Sequence, residues 1–263
     1  MRLRSKTASI EATLRERIDA GDYENGNQLP TVRQLCEEFG VAKVTIGNVL
    51  ARLEAAAVVI RIQGSGLYVR RRVVVERHLL DDVLTEYRLA LTNRAGEVGL
   101  FELVTGQDAT VDVEYHRGPA DDWTANMLHL EPGAPVLRRT FRYRLTGSTP
   151  TPYQVAYGWM SAELADLIGL VGPDSERKGV GTMAQMVGAG LRLGMESLRI
   201  ESRMPTPAES AELAIPPGTP VFERHRRLWT ARPERRPVEV GFQVVPADRV
   251  AYLLDVDLEA VQP

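Results

Sequence analysis

Three polar side chains, Lys43, Thr45 and Asn48, lie close together in a segment whose apolar residues repeat with a helical period. Helical spacing places them on the face opposite the apolar residues, where a partner could reach them. Ammonium, hydroxyl and carboxamide groups contact phosphates and base edges when a helix lies in the major groove of DNA. The chemistry predicted for these residues is therefore noncovalent binding of double-stranded DNA.

Residues for other kinds of chemistry are missing from the sequence. The four histidines show no metal-ligand spacing such as HxxxH, and Cys36 is the single cysteine, so we expect no metal site and no internal disulfide. The sequence also contains no nucleophile elbow, phosphate-binding loop or Cys/His pair. We therefore expect no cofactor and no enzymatic activity.

Three short helices are predicted to position the polar residues. Apolar side chains at positions 10, 14 and 18 predict a first helix. Thr31, followed three positions later by Gln34, predicts the capped start of a second helix, and Gly40 predicts its end. A third helix follows after a turn of only a few residues and carries Lys43, Thr45 and Asn48. This spacing is typical of a helix-turn-helix.

A β-hairpin is predicted directly after the third helix. Two β-prone runs, 58–62 and 67–71, flank the segment Gln63, Gly64, Ser65 and Gly66, whose glycines suit a tight turn or a close approach to a partner. Three helices followed by a hairpin make a winged helix. We include Gln63, Gly64 and Ser65 at the tip of the wing among the candidate DNA contacts.

The distribution of charge supports a division of the chain. The formal charge of the 263 residues is −3, but the segment up to Arg72 has 12 basic and 8 acidic side chains, while the remainder has 20 basic and 27 acidic ones. A basic first quarter and an acidic remainder are expected if only the first part binds a polyanion.

Residues 8–72 closely resemble the DNA-binding domain of the GntR family of bacterial transcription regulators. The resemblance rests on the LPTVRQLCEEFG and VAKVTIGNVLARLE segments and on the wing QGSGLYV. It implies that Arg33, Lys43, Thr45 and Gly64 contact DNA. Many members carry an arginine, a serine and a basic residue where this chain has Gly47, Ala42 and Ser65, so the usual operator of the family is not assumed here.

The second part of the chain contains an internal repeat with an offset of 85 positions. LHLEPGAPVLRRTFR, beginning at Leu128, aligns without gaps with LAIPPGTPVFERHRR, beginning at Leu213. Each copy is predicted to contain a strand, a short helix, a turn with Pro-Gly, a long strand and a further strand. Two such copies would join their strands in one antiparallel sheet covered by helices, for example over 181–193, which gives an α+β fold.

This arrangement resembles the UTRA domain of the HutC subfamily of GntR regulators, whose fold is similar to that of chorismate lyase. The resemblance implies a homodimer and a pocket for a small polar or anionic effector. Arginine suits a carboxylate or phosphate, and a carboxylate suits sugar hydroxyls. The candidate effector-binding residues are Arg139, Arg142, Tyr157, Arg203 and Glu239. The alternative for the arginines, which the repeat retains at 139 and 142, is a set of symmetric salt bridges.

The sequence thus predicts a winged helix over 1–72, a linker over 73–94 and an effector-binding and dimerisation domain over 95–263. Within the linker, an amphipathic helix is expected to bury Leu80, Val83, Leu84, Tyr87 and Leu91. No segment is apolar enough to span a membrane, which favours a cytoplasmic protein. The expected function is that of a repressor that binds a near-palindromic operator. The alternatives are an effector-blind repressor and an enzyme with a DNA-binding appendage.

Overall fold

The computed structural model describes residues 6–23, 27–56, 58–62, 64–70, 74–92, 100–146, 152–176, 180–216 and 218–255. The chain divides into two compact units: 1–73 with 204–219, and 74–203 with 220–263. The grouping of 204–219 with the first unit was not anticipated from the sequence. None of the helices in the described ranges has the length and apolar character of a membrane span.

The first unit contains the three predicted helices. They are α1 (Lys6–Ala20), α2 (Val32–Phe39) and α3 (Lys43–Ala55). The capping box predicted at the start of α2 is present, since Thr31 accepts from the backbone N–H of Gln34 and the Gln34 side chain accepts from the N–H of Thr31. Gly40 ends α2 in the left-handed conformation (φ 61°). Both predicted helix boundaries are therefore formed by the expected local hydrogen bonds.

A small apolar core holds this unit together. One side of each helix contributes fully buried aliphatic side chains, among them Leu14, Leu35, Ile46 and Leu53. The predicted hairpin follows as β1 (Val59–Ile62) and β2 (Gly66–Val69), which pair antiparallel and add Val59 and Val69 to the same core. Because the apolar residues are used inside, the polar residues of α3 are left on the outside.

The second unit is built on a six-stranded sheet with the order β4-β5-β6-β9-β8-β7, in which every neighbouring pair is antiparallel. The strands are β4 (Ala109–Pro119), β5 (Pro135–Leu145), β6 (Gln154–Ser161), β7 (Leu193–Arg203), β8 (Val221–Thr230) and β9 (Pro237–Pro246). Two further strands, β3 (Val75–His78) and β10 (Val250–Leu253), form a separate parallel pair. The predicted α+β fold with an antiparallel sheet is confirmed.

The sheet has the internal duplication predicted from the sequence. Along the chain, α6 (Asp122–Leu128) follows β4 and precedes β5 in the first copy. In the second copy, α9 (Pro207–Glu212) follows β7 and precedes β8 in the same way. The last strands of the two copies, β6 and β9, pair at the middle of the sheet. The two copies therefore join through their equivalent strands into one continuous sheet.

The remaining helices cover mainly one face of this sheet. Apolar side chains from α4 (Leu79–Thr92), α7 (Ala162–Leu167) and α8 (Thr182–Gly188) pack with those of β5, β6 and β8, while α6 covers part of the opposite face. A short helix, α5 (Leu100–Thr105), contacts α4 and β3. The helix expected over 181–193 is shorter, because β7 already begins at Leu193.

The helix predicted in the linker exists as α4, but the predicted buried face is wrong at two of its five positions; the other three are half-buried, and one of them, Tyr87, packs against the core. Leu80 and Leu91 are 50% and 59% exposed, whereas Asp82, Glu86 and Ala90 are buried. The carboxylates turn inward because arginines of neighbouring strands pair with them: Arg77 with Asp82 at 2.6 Å and Arg226 with Glu86 at 3.0 Å. Hydrophobic periodicity does not detect a helix face that is selected by ion pairs.

Candidate nucleic-acid interface and cavity

The first turn of α3 is an exposed, positively charged surface. Lys43 and Asn48 are exposed, Thr45 is half-buried, and Val44 is 74% exposed. Ala42 precedes the helix in extended conformation and makes no side-chain cap, so the positive end of the helix dipole stays open beside Lys43. An uncapped helix start flanked by an ammonium group favours binding of a phosphate.

Two neighbouring features extend this surface. Arg33 on α2 is 87% exposed, and its Nε lies 3.5 Å from a carboxylate oxygen of Glu37. Val44 was not singled out from the sequence, although an exposed valine on a recognition helix can contact the methyl group of thymine. The sequence could have indicated that Val44 is exposed, because its position lies outside the apolar stripe of α3.

The tip of the wing is held in place by a residue that the sequence analysis missed. Gln28 donates from Nε2 to the backbone oxygen of Ser65 at 2.5 Å. Gly66 has φ 128°, and a side chain there would approach Gln28 Nε2 to 2.6 Å. Gly64 (φ 77°) and Ser65 are exposed at the turn, while Gln63 lies outside the described residues. This hydrogen bond fixes the direction in which the wing projects.

A cavity of about 650 Å³ lies inside the second unit. One face of the central strands forms its floor, and residues of α4, α5 and the start of α8 form its walls. At the floor, one row of paired positions runs across four strands: Arg139, Gly158, Gly241 and Arg226. The two adjacent glycines leave free space between the buried Arg139 and the half-buried Arg226.

Arg139 is the most enclosed charged group of the cavity, with a side chain 1% exposed. It donates to Glu239 at 2.6 Å, to Glu176 at 2.9 Å and to the hydroxyl of Thr182 at 2.8 Å. Burial disfavours its charged form, but the carboxylates of Glu239 and Glu176 outweigh that effect and raise the pKa of Arg139. Arg139 therefore stays charged and links the floor to the wall.

Arg226 lies at the other end of this row of paired positions, beyond the two glycines. It donates two hydrogen bonds to Glu86, at 3.0 and 3.2 Å, and lies 3.4 Å from Glu196. Burial acts against the charged form of Arg226, and the charges of Glu86 and Glu196 raise its pKa. Burial also raises the pKa of Glu196, an effect that the charge of Arg226 opposes. Glu86, Glu176, Glu196 and Arg226 were not predicted from the sequence, because their partners are 30 to 140 positions away.

The structure brings together two of the five predicted effector-binding residues, Arg139 and Glu239. Tyr157 borders the cavity, but its ring packs against Phe242, with centroids 4.9 Å apart. Arg142 and Arg203 are not among the residues that line the cavity, since Arg142 pairs with Glu114 and Arg203 pairs with Glu223. Arg139 and Arg142, for which salt bridges were the alternative interpretation, do form them, Arg139 with Glu176 and Glu239 and Arg142 with Glu114.

A winged helix-turn-helix with an exposed recognition face, in one chain with an α+β unit that contains a cavity with charged groups at its floor, is the architecture of a DNA-binding transcription regulator with an effector domain. Residues 6–69 match the family described as bacterial regulatory proteins, gntR family, and residues 106–251 match the UTRA domain. The chain belongs to the GntR family of transcriptional regulators, and its UTRA domain gives it the HutC-like architecture.

Individual relatives agree with this assignment. The chain is 29% identical to the mannosyl-D-glycerate transport/metabolism system repressor MngR of Escherichia coli, over 83% of this chain and 82% of the relative. It is 20% identical to the histidine utilization repressor of Pseudomonas putida, over 92% and 88% of the two chains. The crystal structure of PhnF from Mycobacterium smegmatis matches with a TM-score of 0.54 at 19% identity, covering 95% of this chain and 99% of that one. At this level of identity, the match to the PhnF structure shows a similarity of fold alone.

Proposed function

We propose that this protein is a repressor that binds a near-palindromic operator as a homodimer in the cytoplasm. The observation that carries the proposal is the open start of α3, where Lys43 and Asn48 are exposed beside an uncapped helix end. Two winged helices related by a dimer axis would read two half-sites of similar sequence. In this proposal 1–72 binds DNA and 95–263 binds effector and dimerises, with α4 of the 73–94 segment forming one wall of the effector cavity.

We further propose that a small polar or anionic effector binds in the cavity and changes the affinity for the operator. The supporting observation is a cavity of about 650 Å³ with charged groups at its floor, a size that suits a small metabolite. An effector that binds one dimer geometry some tens-fold better than another shifts the population by about 1–3 kcal/mol. That coupling is sufficient to release or promote DNA binding.

The DNA contacts are tested by replacing Arg33 and Lys43 together with alanine. Fluorescence anisotropy with the DNA upstream of the protein's own gene should show weaker binding and a salt slope reduced by about 1 for each lost phosphate contact. The matched control is Arg199→Ala, which removes a 75% exposed arginine from the second unit. Unchanged affinity and slope in the double variant would contradict the assignment of the interface.

The effector proposal is tested with a library of sugars, sugar phosphates, amino acids and organic acids. A compound that binds only the folded protein raises its melting temperature by mass action, and the same compound should change the anisotropy of the DNA complex. If no compound in a broad library does either, the effector-blind repressor is the better description.

A further inference from the structure

The internal duplication makes the two ends of the cavity chemically different. Arg139 and Arg224 occupy equivalent positions of the two copies, 85 residues apart, and both line the cavity. The partner of Arg139 is Glu239, and the residue equivalent to Glu239 in the first copy is Gln154, which also lines the cavity and is 3% exposed. A carboxylate in one copy thus corresponds to a neutral amide in the other.

At the Glu239 end, negative charge is in excess. The two arginines of this end are surrounded by four carboxylates, so two formal negative charges remain: Arg139 and Arg226 against Glu86, Glu176, Glu196 and Glu239. The second oxygens of Glu196 and Glu239 are buried and have no hydrogen-bond partner among the described residues. The terminal torsion of a glutamate is soft, so either carboxylate can turn an oxygen toward a ligand.

At the Arg224 end, positive charge is in excess. Asp82 lies 2.6 Å from Arg77 but 3.8 Å from Arg224, which is beyond hydrogen-bonding distance. Nε and Nη1 of Arg224 are buried without a hydrogen-bond partner within the part of the chain that the structure describes. Burial and the nearby charge of Arg77 lower the pKa of Arg224. The carboxylate nearest to this guanidinium is shared with Arg77 and more distant, so Arg224 is less fully paired than Arg139.

The strand register separates these two ends. Across β8 and β9, Arg224 is paired with Gln243, whereas Glu239 is paired with Leu228. The two positions on β8 are four residues apart, which is about 13 Å along a strand. A molecule that reaches both ends has its opposite charges far apart, unlike an α-amino acid, in which both charged groups are attached to one carbon.

We infer that the effector is an extended zwitterion with a positively charged amino group bound between Glu196 and Glu239 and a carboxylate bound by Arg224. An ammonium group has three donors and no acceptor, which matches the spare carboxylate oxygens. A carboxylate matches the two spare donors of Arg224. A phosphate dianion would be repelled by the negative excess at the Glu239 end, and the single excess positive charge at the Arg224 end matches a carboxylate better than a dianion. The inference rests on the proposed effector function and assigns its chemical class.

The experiment uses 6-aminohexanoate as the probe, with hexanoate and hexylamine as the matched compounds that each lack one charge. Calorimetric titration of the full-length protein should show binding of 6-aminohexanoate at least about tenfold tighter than of either matched compound, because each lacks one charged hydrogen bond. Glucose 6-phosphate tests whether a phosphorylated compound binds instead. We expect that it does not compete with 6-aminohexanoate.

Two variants locate the two charges. Glu239→Gln keeps an acceptor for Arg139 but removes a negative charge, and should weaken 6-aminohexanoate about tenfold while leaving hexanoate unchanged. Gln154→Glu places a carboxylate at the position related by the repeat to Glu239, so that it competes with the ligand for Arg224. This variant should weaken 6-aminohexanoate and hexanoate alike but not hexylamine.

The inference is overturned if 6-aminohexanoate binds no better than hexanoate and hexylamine, including the case in which none of the three binds. It is also overturned if glucose 6-phosphate binds more tightly than the amino compound. In both cases the proposed function survives if any library compound changes operator affinity. The proposed control by an effector fails separately, when no compound in the library alters the DNA complex.

Discussion

Tyr157 and Phe242 are direct cross-strand neighbours at the middle of the six-stranded sheet, and they are also equivalent positions of the two repeats. Their ring centroids are 4.9 Å apart. A pair that is both equivalent and in register marks the pseudo-two-fold axis of the domain. The axis brings β6 and β9 together and places Gly158 opposite Gly241, and so creates the floor of the cavity.

We predict that Gly241→Ala destabilises the second unit. A Cβ at this position would collide with the backbone oxygen of Tyr157 and lie 3.3 Å from Cα of Gly158, so the central strands would have to move apart. The expected loss is about 1–3 kcal/mol. It is measured by urea unfolding followed by tryptophan fluorescence, since all three tryptophans belong to the second unit.

The matched control for this prediction is Gly188→Ala at the end of α8, where a Cβ meets nothing within 4 Å. That variant should be as stable as the parent protein. Equal stability of the Gly241→Ala and Gly188→Ala variants would show that the close approach of β6 and β9 is not needed.

For Gly47 on α3 we predict opposite effects on stability and on DNA binding. The position is exposed and a Cβ there contacts nothing within 4 Å, so Gly47→Ala should stabilise the helix by up to about 1 kcal/mol. If the glycine allows close approach to DNA, operator affinity falls in the same variant. A rise in melting temperature without loss of affinity would leave Gly47 without a role in recognition.

Removing the charge of Arg139 should be strongly destabilising. Arg139→Met leaves the buried Glu239 and the half-buried Glu176 without their cation, at an expected cost of about 3–5 kcal/mol. The double variant Arg139→Met, Glu239→Gln should recover part of this loss, because one uncompensated charge is removed. The exposed pair of Arg199 and Glu201 provides the control, since Arg199→Ala should cost less than about 1 kcal/mol. Similar losses of stability in the Arg139→Met and Arg199→Ala variants would contradict the conclusion that burial makes the Arg139 ion pairs important.

The cap of α6 gives a prediction about pH. Hydrogen bonds from the side chain and the backbone N–H of Thr124 lower the pKa of Asp121. A lowered pKa in the folded state means that the stabilisation is present above the pKa of the unfolded chain and is lost as the pH falls through the folded value. Asp121→Ala should therefore cost about 1 kcal/mol at pH 7 and less as the solution is acidified.

Ser161→Ala is the control for this pH dependence, because Ser161 caps α7 through the N–H of Leu164 and does not titrate. Its cost should be about the same at neutral and acid pH. Urea unfolding of both variants between pH 3 and pH 7 provides the measurement. Parallel curves for the two variants would mean that the carboxylate of Asp121 does not act through its charge.

The sequence by itself determined the features that depend on neighbours along the chain. The capping box at Thr31, the left-handed end at Gly40 and the apolar stripe of α3 arise from hydrogen bonds and packing within a few residues. The repeat offset of 85 predicted the antiparallel sheet, because equivalent segments fold into equivalent strands. The resemblance of the motifs to two known domains provided the family, which the comparisons confirmed.

Only the tertiary structure decided how the charged residues are used. Arg139 and Glu239 are 100 positions apart and meet because β5, β6 and β9 lie side by side. Asp82 and Glu86 turn inward on α4 because arginines of other strands pair with them, against the helical period of the leucines. The energy of such an ion pair depends on distance and burial, and neither quantity is present in the order of residues along the chain.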